Sequence, residues 1–194
     1  MAAPVLIAAT SPYLAYRNPA YIIGGFAGIV CLSLLLIQPL LAAQYLPGAG
    51  AENGRKWHHW VGAAIIACVL LHVGGLYVTS PADTLDALML VAPTPFSVYG
   101  VLAMWAVVAT AALVILRRRL KLRYSNWRLV HNGLALIVVV ATVIHALQID
   151  GAMETYSKWA LCLAVLIAAG ATLFHQRVIK PLLQQRQPAE ADHH

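Results

Sequence analysis

Five stretches of this chain carry no Asp, Glu, Lys or Arg, and their lengths constrain its fold more than any other feature. They lie between Arg17 and Glu52, Lys56 and Asp83, Asp86 and Arg117, Arg128 and Asp150, and Lys158 and Arg177. An ionisable side chain in hydrocarbon is costly, so long charge-free gaps mark where a bilayer fits. The composition agrees: 61% of the 194 residues are hydrophobic and 10% are charged, against roughly a quarter charged in an ordinary soluble domain. Five transmembrane helices are expected at about 20–44, 57–79, 97–117, 127–149 and 156–176, each near the roughly 20 residues that cross a membrane. Pro93 and Pro95 in "APTPFS" stop a helix from reaching further back, so residues 80–96 are expected to form a connecting loop.

Residues 1–16, "MAAPVLIAATSPYLAY", are uncharged and apolar but interrupted by Pro4 and Pro12. Without a basic leading region they make a poor signal peptide. They read either as an interfacial segment or as the remainder of a sixth span. The expected fold is therefore an all-α integral membrane protein, a bundle of five to six transmembrane helices over residues 17–180, followed by a tail at 181–194.

Laying the spans end to end sorts the charges. Arg55, Lys56, Arg117, Arg118, Arg119, Lys121, Arg123, Arg128, Arg177, Lys180 and Arg186 fall on one side of the membrane; Arg17 and Lys158 fall on the other with Asp83, Asp86, Asp150 and Glu154. By the positive-inside rule the "RRRLKLR" loop and the C-terminus face the cytoplasm, as in a bacterial inner membrane. The net charge of +6 is then a topology signal that also meets anionic lipid, and no nucleic-acid partner is implied. Cys31, Cys68 and Cys162 sit in three different spans with no pairing motif, which points away from a disulfide framework or a zinc site.

Histidines carry the chemistry. His58 and His72 are 14 residues apart on the second span, and His131 and His145 are 14 apart on the fourth. Fourteen steps of about 100° return a side chain to within about 40° of its starting direction, about 21 Å further along the helix. His59, 13 residues before His72, would point about 140° away, so the phase favours His58. The second and fourth spans both run from inside to outside and are parallel, which lets His58 meet His131 and His72 meet His145. A ladder of paired neutral imidazoles suits two b-type haems, since bis-histidine iron shuttles single electrons with little rearrangement. The members of one helix pair are too far apart to share a zinc ion. Gly62, Cys68, Gly75, Ala135 and Ala141 lie one turn from the ligands and would leave room for a macrocycle. Arg55 and Arg128, near the inner pair, are candidates for propionate contacts. His175 is expected at the interface, and His193 and His194 at the chain end are set aside.

The segments "RKWHHWVGAAIIACVLLH", "WRLVHNGLALIVVVATVIH" and "SPADTLDALMLVAPTPFSVYGVLAMW" resemble the ferric reductase-like transmembrane domain, shared by ferric reductases, NADPH oxidases and the haem subunit of methionine sulfoxide reductase systems. The resemblance covers roughly residues 17–180. It implies a bundle of about six spans holding two haem b, with His58, His72, His131 and His145 as ligands to the iron. This sequence departs from it in having five clear spans and, after Arg177, a tail too short for a flavin or nicotinamide domain.

The expected function is transmembrane electron transfer, as part of an oxidoreductase, from a separate flavoprotein reductase or quinol to an unidentified acceptor on the outer side. The alternatives are a quinone-reactive cytochrome b that anchors a larger redox complex, and a haem-free transporter or scaffold in which the histidines relay protons or join helices.

Overall fold

The computed structural model describes residues 2–46, 48 and 50–186, and all regular structure among them is helical. Five helices are long and apolar enough to cross a membrane. The chain is an integral membrane protein.

The first spanning helix, α2 (Pro19–Ala43), begins where its sequence dictates. Pro19 occupies the first turn, where a missing N–H costs nothing, and the Asn18 side chain accepts a hydrogen bond from the Ala20 N–H at 2.8 Å. It ends at Gln44, which adopts a left-handed conformation with φ 61°. Before it lies a short helix, α1 (Ala2–Ala9), about 12 Å long. That is well under half of a hydrocarbon core of about 30 Å. It rests on α2 and α7 (Thr155–Phe174), with Ala8 fully buried.

The second spanning helix, α3 (Ala51–Thr79), starts earlier than the expected residue 57 because Glu52, Arg55 and Lys56 extend it as an exposed first turn and a half. Residues 80–96, expected as a loop, contain an eight-residue helix, α4 (Pro81–Leu88). Pro81 favours a helix start there, since proline at the first helical position is pre-set for it. Pro93 and Pro95 act as anticipated, and α5 (Pro95–Leu120) begins at the second of them. Next, α6 (Tyr124–Gln148) follows a tight reversal at Lys121, φ 46°. Finally, α7 is capped by Glu154, whose carboxylate accepts from the Ser157 N–H. It runs on through a π-helical turn at His175–Ile179 into α8 (Lys180–Arg186). The rest of the tail, with His193 and His194, lies outside the described residues.

Packing divides the bundle into two lobes. α2 lies along α3 and against α7, and α5 lies along α6, which also meets α7. The core runs through Leu32, Leu35, Val138, Val143, Cys162 and Val165. Many large apolar residues stay exposed, as at Leu70, Ile115 and Ile167, because their solvent is lipid. α2 and α3 approach so closely that a Cβ on Gly75 would stand 2.6 Å from the Ala20 carbonyl oxygen and 2.9 Å from the Gly24 Cα. Gly75 therefore serves helix packing, not the cleft for which its spacing from His72 suggested it. Lys158, one of two basic residues that the charge pattern places on the side opposite the basic loop, is buried, and its ammonium donates to the Ile149 carbonyl at 2.7 Å. It closes the C-terminal end of α6, where a cation is favoured.

Candidate functional site

The two lobes face each other across α3 and α6, which scarcely touch through their backbones. Into that cleft project four half-buried imidazoles. His58 faces His131 with ring centroids 6.3 Å apart and planes at 64°; His72 faces His145 at 6.2 Å and 82°. One pair lies toward the end with the 117–128 loop, the basic end. The other lies toward the opposite end. His59 is exposed, and His175 sits against Tyr45, centroids 5.4 Å apart, away from both pairs.

Three of the four rings are held by the backbone of a neighbouring helix. His72 Nδ1 lies 2.8 Å from the Gly24 carbonyl oxygen of α2, His145 Nδ1 lies 2.8 Å from that of Phe96 on α5, and His58 Nδ1 lies 3.2 Å from that of Gln38 on α2. A carbonyl oxygen only accepts, so each of these bonds places the proton on Nδ1 and leaves the Nε2 lone pair free. The Gln38 side chain returns the contact, its Nε2 donating to the His58 carbonyl at 3.2 Å.

Those carbonyls belong to helix turns and already serve the N–H four residues on, so the histidine must reach the second lone pair. Four residues after Gly24 stands Gly28, and four after Phe96 stands Gly100. A Cβ on Gly28 would meet His72 Nδ1 at 3.1 Å, and one on Gly100 would meet His145 Nδ1 and Cε1 at 2.8 Å. Glycine clears the approach in both places. The corresponding residue for Gln38 is Ala42, and that bond is the longest of the three.

His131 is held differently. Its Nδ1 is buried with no hydrogen-bond partner among the described residues. Instead its ring stacks on Trp127, centroids 5.2 Å apart and planes 14° from parallel. The Arg117 guanidinium lies over the indole at 4.5 Å and over Tyr124 at 5.6 Å. Arg128, a candidate for a propionate contact, lies over the Tyr124 ring at 5.8 Å, and Arg55 is exposed.

The family model described as ferric reductase like transmembrane component matches residues 24–142, more than half of the chain. This chain belongs to the ferric reductase-like transmembrane family. The match takes in nearly all of α2, then α3, α4 and α5, and most of α6, with His58, His72 and His131; it stops three residues before His145. No curated protein and no solved structure matches the chain.

Ferric reductase-like domains generally bind haem, and the histidine pairs fit that group. Two imidazoles that hold one metal ion between them would be separated by roughly two metal–nitrogen bonds of about 2.0–2.1 Å plus the depth of the two rings. The observed separations are 6.3 and 6.2 Å. Among the described residues no group of three or more His, Cys, Asp or Glu could enclose a metal ion. Paired donors suit a metal whose remaining ligands come from a macrocycle.

Gly24, Gly28, Gln38, Phe96, Gly100 and Trp127 escaped the sequence reading, and Arg117 entered it only as a topology charge. Gly28 and Gly100 were visible as glycines inside apolar helices, where they carry a propensity cost. The carbonyl acceptors in the arrangement have no sequence signature, since every residue has one. Of the small residues noted beside the ligands, Gly62 borders the Gln38 side chain, a Cβ there falling 3.2 Å from its Nε2.

Proposed function

We propose that this chain is a transmembrane electron conduit holding two b-type haems, one on His58 and His131 and one on His72 and His145. The supporting observation is the pair of imidazole pairs on parallel helices, with Nδ1 engaged by backbone carbonyls in three of four rings. Bound haem supplies reversible one-electron storage at each position. The protein's own contribution is orientation. Gly24, Gln38 and Phe96 carbonyls fix tautomer and ring direction and raise the basicity of Nε2.

The positive-inside rule puts the basic end in the cytoplasm, which makes His58/His131 the inner pair and His72/His145 the outer pair. Electrons enter at the inner pair from a separate flavoprotein reductase or from membrane quinol. They leave the outer pair for an acceptor outside, such as a ferric chelate, oxygen or a periplasmic redox protein.

A reduced-minus-oxidised visible spectrum with a haem count tests this directly. Two b-type haems per chain are expected, and a folded, colourless preparation overturns the proposal. Reduction in detergent by a soluble flavoprotein supports the conduit. Reduction by quinol alone assigns the chain as the quinone-reactive anchor of a larger complex.

A further inference from the structure

The inner pair contains a cluster that the ligand geometry alone does not require. Trp127 precedes His131 by one helical turn, and its indole lies nearly parallel to the imidazole. Its Nε1, like His131 Nδ1, is buried without a hydrogen-bond partner among the described residues. The guanidinium of Arg117, from the last turn of α5, lies over the same indole, 4.5 Å from its centroid. The two separations put that cation within about 10 Å of the His131 ring. Arg117 is one of several basic residues in its segment, and the positive-inside rule accounts for the segment as a whole. It does not account for one guanidinium placed over the ring that stacks on His131.

We infer that Trp127 is the positioning residue of His131, replacing the carbonyl that orients the other three, and that Arg117 makes the inner centre the higher in reduction potential. This rests on the two-haem reading above.

Two effects of the same sign lead there. A carbonyl accepting from Nδ1–H gives the imidazole more anionic character, which stabilises the oxidised iron. The outer pair has two such bonds at 2.8 Å; the inner pair has one, at 3.2 Å. The Arg117 cation, exposed at the end of α5 but held over the Trp127 ring, favours the state with one positive charge fewer, which is the reduced one. The inner centre therefore fills first and holds its electron longer.

The experiment is a potentiometric titration of the full-length, haem-loaded protein, with low-spin electron paramagnetic resonance as a second readout. Two one-electron components are expected. In His72→Ala, which retains the inner pair, the surviving component should be the higher one; survival of the lower one overturns the proposal. Arg117→Gln should lower the higher component by about tenfold in its equilibrium, or about 59 mV, and leave the other in place. Arg117→Lys should retain most of the wild-type value. An unmoved higher component, or an equal fall of both, overturns the role of Arg117. Trp127→Leu should change the resonance of one haem only, and Trp127→Phe should restore it by keeping a stacked ring. A resonance indifferent to both removes Trp127 from the account. Absence of haem from the wild-type protein would instead refute the two-haem reading.

Discussion

On the proposed orientation, the outer pair (His72/His145) and the inner pair (His58/His131) use the same residues at the same spacing, yet their rings are held in different ways. At the outer end both rings are tied to neighbouring helices by 2.8 Å bonds, and each bond passes over a glycine that clears its path. At the inner end one ring makes a 3.2 Å bond past Ala42 and the other leans on an indole under a guanidinium. The difference shows what orients a ligand inside a helical bundle. A helix carbonyl can accept twice, and its second lone pair is reached at 2.8 Å where the residue one turn later is glycine and at 3.2 Å where it is Ala42. Where such a bond is missing, π-stacking gives direction without fixing the tautomer.

The comparison can be broken most decisively by removing a ligand. His72→Ala should reduce the haem count from two to one per chain while the inner pair stays loaded. Retention of both haems, or loss of both, would show that the pairs are not separate sites. Next in size is the glycine effect. Gly100→Ala places a methyl group 2.8 Å from the His145 ring, so the outer haem should be lost at lower temperature, with a cost of about 1–3 kcal/mol from overpacking. Gly28→Ala, with a contact at 3.1 Å, should follow in the same direction by less. A Gly100→Ala protein that melts like wild type with full haem would show that the clearance is incidental. Smallest is Gln38→Leu. It deletes the side-chain bond to the His58 carbonyl but leaves the Gln38 carbonyl in place, and it removes a buried, unpartnered Oε1. A lost hydrogen bond of about 0.5–1.5 kcal/mol is partly offset, so inner haem retention should fall only slightly in a thermal challenge. Complete loss of the inner haem would mean that the amide, and not the backbone, holds His58.

Much of the fold was legible because a bilayer excludes charge. The gaps between Arg17 and Glu52 and between Lys56 and Asp83 became α2 and α3 with little adjustment. Helix ends moved by several residues where charged turns continue the helix beyond the apolar part, as at Arg55 and Lys56. α4 was missed because its eight residues lie among prolines and acidic side chains, a composition read as loop. The facing of His58 with His131 and of His72 with His145 follows from a period and a count of crossings, both properties of the linear sequence. The Nδ1 partners could not follow in that way. They depend on which helices are neighbours, here α2 beside α3 and α5 beside α6, and backbone carbonyls leave no trace in residue identity. Gly75 shows the converse limit. Its place one turn from His72 suggested room for a macrocycle, and the close approach of α2 claims it instead.

The rise between the two histidines of each helix has an electrical consequence. Fourteen residues correspond to about 21 Å, or about two thirds of an insulating layer about 30 Å thick. On the proposed assignment, an electron leaving the inner pair for the outer one crosses that fraction of the membrane capacitor with no ion moving alongside it. With the interior negative, the field would drive it outward by about 1.5 kcal/mol for each 100 mV, which works against the uphill step from a higher-potential inner centre to a lower-potential outer one. Each turnover discharges the membrane slightly. The protein would thus be coupled to the energised state of its membrane, and its rate in vesicles should rise or fall with an imposed diffusion potential.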